Sequence, residues 1–249
     1  MMGLRNLYKV FTETRKASRG RATLAVVGDS VHAGEIADLL GAQRASEKAE
    51  VILTVSGSTA SLSGKAVEDP GEIPLPPPGA ASADELAPRL VKALEAEYLV
   101  PLAKAYPPLR GAACEEIIRK NARQNAVVGA LPIPGADMPV MTANQARMVL
   151  HLAAAYGEEL SLQRARELLG VLAAGFGLRA LTRQVVKVVP AGGWAAAAAI
   201  GYAGTLAMGR STMLYFERGG QKVGQGEMEE IQRRATEEAK SFVSRFRRR

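Results

Sequence analysis

At 249 residues the chain is long enough for a full hydrophobic core and for one large and one small domain. Its single cysteine, Cys114, excludes an internal disulfide and a cysteine-rich zinc site, and two distant histidines, His32 and His151, leave little with which to bind any metal. The formal charge of +7 is concentrated at the ends, with +5 in residues 1–21 and +4 in residues 241–249, so the middle carries −2.

Attraction to phosphate, on nucleic acid or on anionic lipid, is therefore expected at the termini. The start "MMGLRNLYKVF" lacks the continuous apolar stretch of a secretory signal, which places the chain in the cytosol or on a membrane's cytosolic face. Within residues 1–21, Leu4, Leu7, Tyr8 and Phe11 recur at helical spacing among Arg5, Lys9, Arg15 and Lys16. That pattern predicts a short basic amphipathic helix, suited to docking on the body or to a membrane surface.

Residues 22–80 read as a small α/β remnant with a proline-rich linker. Leu24 to Val27 predicts a buried strand, Gly28 to Gly34 a turn, and Glu35 to Leu40 a helix. A phosphate-binding loop of this kind needs four residues between its glycines and then Lys and Ser or Thr, so that amides cradle the phosphate and the lysine neutralises it. Here five residues separate Gly28 from Gly34, and Glu35 stands in the lysine's place, where its charge would repel phosphate. The second strand, "AEVILTVSG", is followed by Gly64-Lys65, but Ala66 replaces the magnesium-binding hydroxyl and no helix follows. Pro74, Pro76, Pro77 and Pro78 read as an extended linker.

Residues 81–221 read as a helical domain. Ser82 and Glu85 form a capping box for a helix whose face is Leu86, Leu90, Val91, Leu94 and Tyr98, with Pro88 near its start. A further helix begins around Cys114, Ile117, Ile118 and Ala122 and stops before Pro132 and Pro134, which push their predecessors towards extended geometry. Thr142 with Gln145 forms a second capping box, opening a helix faced by Met148, Val149, Leu152 and Tyr156 and closed by Gly157. Asp137 is the only titratable side chain between Gln124 and Thr142, so the loop "ALPIPGADMP" reads as a rigid corner between helices, not a catalytic loop.

Ser161 can cap a helix over residues 162–189, with Gly170, Ala174 and Gly177 along one side and the basic run Arg179, Arg183 and Lys187 near its end. After a turn at Pro190 to Gly193, a second helix carries Gly193, Ala197, Gly201, Thr205 and Gly209 at intervals of four. Helical glycine costs up to about 1 kcal/mol relative to alanine, so such a stripe predicts close backbone contact, here as a tight hairpin of these two helices. Residues 188–209 are 22 without a charge, long enough to cross a bilayer, yet mostly alanine and glycine. A buried hairpin and an inserted one both fit. Residues 222–249 form an amphipathic basic tail helix with the apolar stripe Met228, Ile231, Ala235, Ala239, Phe242 and Phe246, suited to docking or self-association.

The segments "EEIIRKNARQNAVVGALPIPGADMPVMTANQARMV", Tyr156-Gly157, "VVP" and "GRSTMLYFE", in that order over residues 111–218, resemble a bacterial family known as domain of unknown function 697. That family includes YcjF-like membrane proteins and is often fused behind a small GTPase domain. The resemblance implies an α-helical domain, frequently assigned to the inner membrane, with no established catalytic chemistry. It also makes residues 23–57 look like a shortened GTPase remnant, although no GTPase site residue carries over.

Together these readings predict a mainly α chain with a truncated α/β segment ahead of its helical domain. The expected function is that of a non-catalytic, membrane-associated helical protein, a scaffold or accessory factor, with no catalytic, cofactor-binding or metal-binding residue assigned and no cofactor. Expected partners are an anionic membrane surface or an acidic protein, with self-association a further option and nucleic acid disfavoured by the few aromatics. The rival readings are a nucleotide-binding switch using "GDSVHAGE" and a soluble partner-binding helical domain. The location is the cytoplasmic face of the inner membrane or the membrane itself, with the cytoplasm as the alternative.

Overall fold

The computed structural model describes residues 8, 11–12, 14–15, 20–28, 30–44, 48–131, 137–158, 161, 163 and 193–246. Among these the chain is mainly helical, with a five-stranded mixed sheet preceding the helical region. It divides into two compact units, one comprising Arg15–Ile117 with Ala154–Glu158, the other Met1–Thr14, Ile118–Ala153 and Glu159–Arg249.

In the first unit, strands β1 (Leu24–Val27), β2 (Gln43–Arg44), β3 (Val51–Ser56), β4 (Thr59–Ser63) and β5 (Glu72–Pro74) lie in the order β2-β1-β3-β4-β5. β1 is parallel to both neighbours, with Ala25 opposite Gln43 on one side and Ile52 on the other, whereas β4 and β5 are antiparallel additions. Helix α1 (Val31–Leu40) follows β1. It starts four residues before the predicted Glu35, because Ser30 caps it by accepting the Ala33 N–H at 3.1 Å. Gly41, at φ 64°, closes it in the left-handed conformation.

β4 and β5 were not foreseen from the sequence, and β5 takes Pro74 out of the predicted linker. The β3–β4 turn is Gly57-Ser58, with Gly57 at φ 57°, and Ala60 and Leu62 then alternate inward against exposed Ser61 and Ser63. β5 is an edge strand. Its Pro74 has no N–H to offer and its carbonyl accepts Arg89 Nη1 at 2.7 Å, which blunts the edge.

Ser82 caps helix α2 (Ala83–Lys92) as predicted, accepting the Glu85 N–H at 3.3 Å. The face expected to run on to Tyr98 is interrupted: α2 ends at Lys92, Leu94 bridges to Val67, and a separate helix α3 (Ala96–Ala105) follows. Leu24, Ile36, Leu40, Leu90, Leu94, Leu99 and Leu102 are almost wholly buried, each stabilising the unit by about 1.5–3 kcal/mol. The β1 end is pinned by Leu24 N–H donating to Tyr106 Oη at 2.8 Å and by Thr23 donating to the Glu50 carboxylate. The Thr23 hydroxyl lowers the Glu50 pKa below its ordinary value despite an opposing desolvation effect.

Helix α4 (Pro107–Ala130) opens on a proline, whose missing N–H costs nothing in a first turn. Helix α5 (Asp137–Ala155) begins five residues before Thr142, so the predicted second capping box lies inside the helix. Pro139 is tolerated there because the first-turn N–H groups have no intrahelical partner. Helix α6 (Trp194–Glu217) carries the small-residue stripe, and helix α7 (Gln225–Phe246) returns along it. Tyr202 and Phe242 stack with ring centroids 4.3 Å apart, and Arg210 pairs with Glu238 at 2.7 Å. Burial pushes the Tyr202 phenol pKa up, and Glu238 adds to it. On α7, Ala235, Ala239 and Val243 are buried together with Gln232 and Thr236, so the buried face is partly polar. Of the described residues in the segment 1–21, Tyr8, Phe11, Thr12, Thr14 and Arg15 are helical, with Phe11 buried and Tyr8 exposed, whereas Gly20 and Arg21 are not helical.

Candidate functional site

The stripe on α6 meets α4. A Cβ at Gly201 would lie 2.6 Å from the Asn125 carbonyl oxygen, and one at Gly209 would lie 2.6 Å from Ile118 Cγ1. On α4, a Cβ at Gly129 would lie 2.8 Å from the Ala197 carbonyl oxygen. Ile118 with Gly209, Asn125 with Gly201 and Gly129 with Ala197 describe two antiparallel helices in one constant register, too close for side chains at the glycine positions. The close contact expected of the stripe is present with α4 as the neighbour. Of the helix expected over residues 162–189 only Gln163 is described, and Arg179, Arg183 and Lys187 lie outside the described residues, as does the corner Pro132 to Gly135.

Beside this contact runs a chain of side-chain hydrogen bonds. Arg147 Nη1 donates to Asn144 Oδ1 at 3.3 Å, Asn144 Nδ2 to Asn125 Oδ1 at 3.0 Å, and Asn125 Nδ2 to Thr205 Oγ1 at 2.8 Å. Thr205 Oγ1 in turn donates to the Gly201 carbonyl at 2.8 Å and accepts from Gln145 Nε2 at 3.5 Å. Gln145, read from sequence as half of a capping box, thus contributes to an interhelical contact. Asn125 and Thr205 are fully buried. These amides, the hydroxyl and the guanidinium tie α4, α5 and α6 together and so fix their register.

The exposed apolar residues of this unit have a different character. Val127 lies in the last turn of α4 and Leu131 just after it, Val140 lies in the first turn of α5, and Trp194 opens α6. All four are exposed, from 46% for Val140 to 59% for Val127. Large apolar side chains left in solvent are candidates for an interaction surface. Among the described residues, no helix is long and apolar enough to cross a membrane.

Next to the nucleotide-like loop of the first unit, Glu35 and Arg44 are engaged within the chain. Glu35 Oε2 accepts the Gly79 N–H at 2.9 Å, and Arg44 Nη2 donates to the Gly28 carbonyl at 3.4 Å. Ser30 is used as a helix cap. A Cβ at Gly64 would lie 2.3 Å from the Glu50 carbonyl, so the glycine of Gly64-Lys65 is required by packing. His32 is buried in α1 and its Nε2 has no hydrogen-bond partner, Cys114 is buried in α4, and His151 is half-buried in α5.

The sequence model of a family described as "Domain of unknown function (DUF697)" matches residues 102–241, more than half of the chain. The match reaches from within α3 through α4, α5 and α6 into α7, and so contains the polar cluster and the exposed apolar residues. No curated protein and no solved structure matches the chain.

Proposed function

The chain belongs to the DUF697 family, and we propose that it is a non-catalytic, membrane-associated helical protein, a scaffold or accessory factor whose exposed apolar side chains engage the membrane. The observation that carries this reading is the exposure of four large apolar side chains in the helical region, Val127, Leu131, Val140 and Trp194. The buried polar cluster is spent largely on interhelical bonds, which supports a binding role over a reaction. The small α/β unit keeps a parallel β2-β1-β3 core with a helix after β1, as a shortened GTPase-like appendage would. Its loop, with Glu35 directed to Gly79, supports no nucleotide role. The protein then acts on the cytoplasmic face of the inner membrane.

Fractionation of the native protein with a carbonate wash tests this. Sedimentation with membranes before the wash is the expected result. A wholly soluble distribution, or tight magnesium-dependent GTP binding by the purified chain, overturns it.

A further inference from the structure

The outer edge of β5 borders a cleft that the membrane-associated reading leaves unused. We infer that this cleft binds a free α-amino acid with an apolar side chain, as the zwitterion, its ammonium held by Asp69 and the Glu72 carbonyl and its carboxylate by Lys92 and the Glu72 N–H. The inference concerns the α/β unit alone and does not rest on the membrane-associated reading.

The register of β4 and β5 decides which main-chain groups are open. Leu62 N–H donates to the Gly71 carbonyl at 3.3 Å and Leu75 N–H to the Ser58 carbonyl at 2.8 Å, while Ala60 stands opposite Ile73. Gly71, Ile73 and Leu75 therefore turn their main-chain groups towards β4, and Glu72 and Pro74 turn theirs outward. The bond from Arg89 Nη1 to the Pro74 carbonyl has the direction this requires. Pro74 has no N–H and its carbonyl is taken, and Pro70 has no N–H either. Glu72 is thus the one residue of β5 with both a donor and an acceptor open. An added strand needs such groups at every second residue. Glu72 alone serves a ligand that offers a single main-chain unit.

The cleft on this edge, of about 290 Å³, is lined by Glu72 with the apolar Leu62, Ile73 and Ala93 and the charged Asp69 and Lys92. Arg89 lines it too but is committed, with Nη1 on Pro74 and Nη2 on Glu85. The Asp69 and Lys92 side chains make no ion pair, with each other or with any other described residue. An acid and a base that border one small space unpaired suit a ligand carrying both charges. Small-molecule sites run from about 300 Å³ upward, so this cleft suits a small one. Leu62 and Ile73 are buried and give it an apolar wall. A free amino acid meets these conditions together, with one main-chain unit, two opposite charges and a side chain for the wall.

Leucine is the probe, titrated calorimetrically into the full chain beside leucinamide, which lacks the carboxylate, and N-acetyl-leucine, which lacks the ammonium. Saturable binding of leucine is expected, weakened about tenfold for each blocked form, the effect of losing a charge-assisted hydrogen bond. Lys92→Met should weaken leucine binding by a similar factor and leave leucinamide unaffected. Asp69→Asn should do the same to leucine and leave N-acetyl-leucine unaffected. Both positions are exposed, so thermal unfolding without ligand should not change. The absence of saturable leucine binding overturns the inference. So does equal binding of the blocked forms, which would show pairing with main chain alone, or leucine binding that survives both substitutions. None of these results bears on the membrane-associated reading.

Discussion

Asn125 Nδ2 donates to Thr205 Oγ1 at 2.8 Å from one turn beyond Gly201, whose missing side chain lets α6 approach the Asn125 carbonyl. The two features depend on each other: without the glycine the helices stand too far apart for the bond, and without the bond the contact would bury unpaired polar atoms. Thr205→Val keeps the shape and removes the hydroxyl, leaving the buried Asn125 amide without its acceptor. Such a loss costs about 1–3 kcal/mol. Denaturant unfolding should show it, and Thr205→Ser should recover most of it. A Thr205→Val protein as stable as the parent would mean that the amide finds another partner.

Gly201→Leu tests the approach itself. The first carbon of the new side chain would meet the Asn125 carbonyl at 2.6 Å and Met141 Cε at 2.9 Å. Overpacking of this kind typically costs about 1–3 kcal/mol, here against backbone that has little room to move. Alanine at the same position already places that carbon, so Gly201→Ala should also destabilise, although alanine is intrinsically the better helix former.

Gly209 gives a paired test, because its obstacle is a side chain. A Cβ there would lie 2.6 Å from Ile118 Cγ1 and 2.7 Å from Cγ2. Gly209→Ala and Ile118→Ala should each destabilise, the second by about 2–5 kcal/mol through the cavity it leaves. Together they should cost less than the sum, since the new methyl enters the vacated space. Strict additivity in a double-mutant cycle would show that the two residues are not in contact in solution.

A helix over residues 194–217 and a close contact along its glycine stripe were legible in the sequence, because glycine at intervals of four has a cost that only close approach offsets. The part that α4 plays in that contact was not. A stripe records that something comes near, and the row it meets on α4, Ile118, Ala122, Asn125 and Gly129, mixes large, polar and small residues and so does not announce itself as a partner. Thr142 and Gln145 matched a cap by spacing alone, and the start at Asp137 was hidden by Pro139, which reads as a breaker unless it falls in a first turn. β4 was missed because its inward residues, Ala60 and Leu62, alternate with serines over too few positions to show a period. The polar cluster could not be read at all: Asn125, Asn144 and Gln145 look like solvent-facing residues until the fold brings Thr205 between them.

His32 is a buried residue whose Nε2 has no partner, in a helix that otherwise buries Ala33, Ile36, Ala37 and Leu40. Burying a polar atom without a hydrogen bond is unfavourable, and an apolar ring of similar volume removes that penalty. His32→Phe should therefore leave stability unchanged or raise it by about 1 kcal/mol, measured by thermal unfolding. A clear loss would show that Nε2 holds a bond in solution.

The surface of α7 predicts an acid response. Glu230 accepts hydrogen bonds from Arg233 and Arg234, and these lower its pKa to about 2. Glu227 is lowered likewise by Arg218. A carboxylate with a folded pKa below its unfolded one stabilises the folded state above the unfolded value, near 4.5 for Glu230, and that contribution is lost as pH falls towards about 2. Both groups are exposed, so screening keeps the effect small and salt should diminish it further. In Glu230→Gln the part of the acid destabilisation between these two values should flatten, as followed by helicity during unfolding at successive pH values. An unaltered profile would mean that the Arg233 and Arg234 contacts are not held in solution, since a carboxylate with an ordinary pKa contributes nothing to the slope.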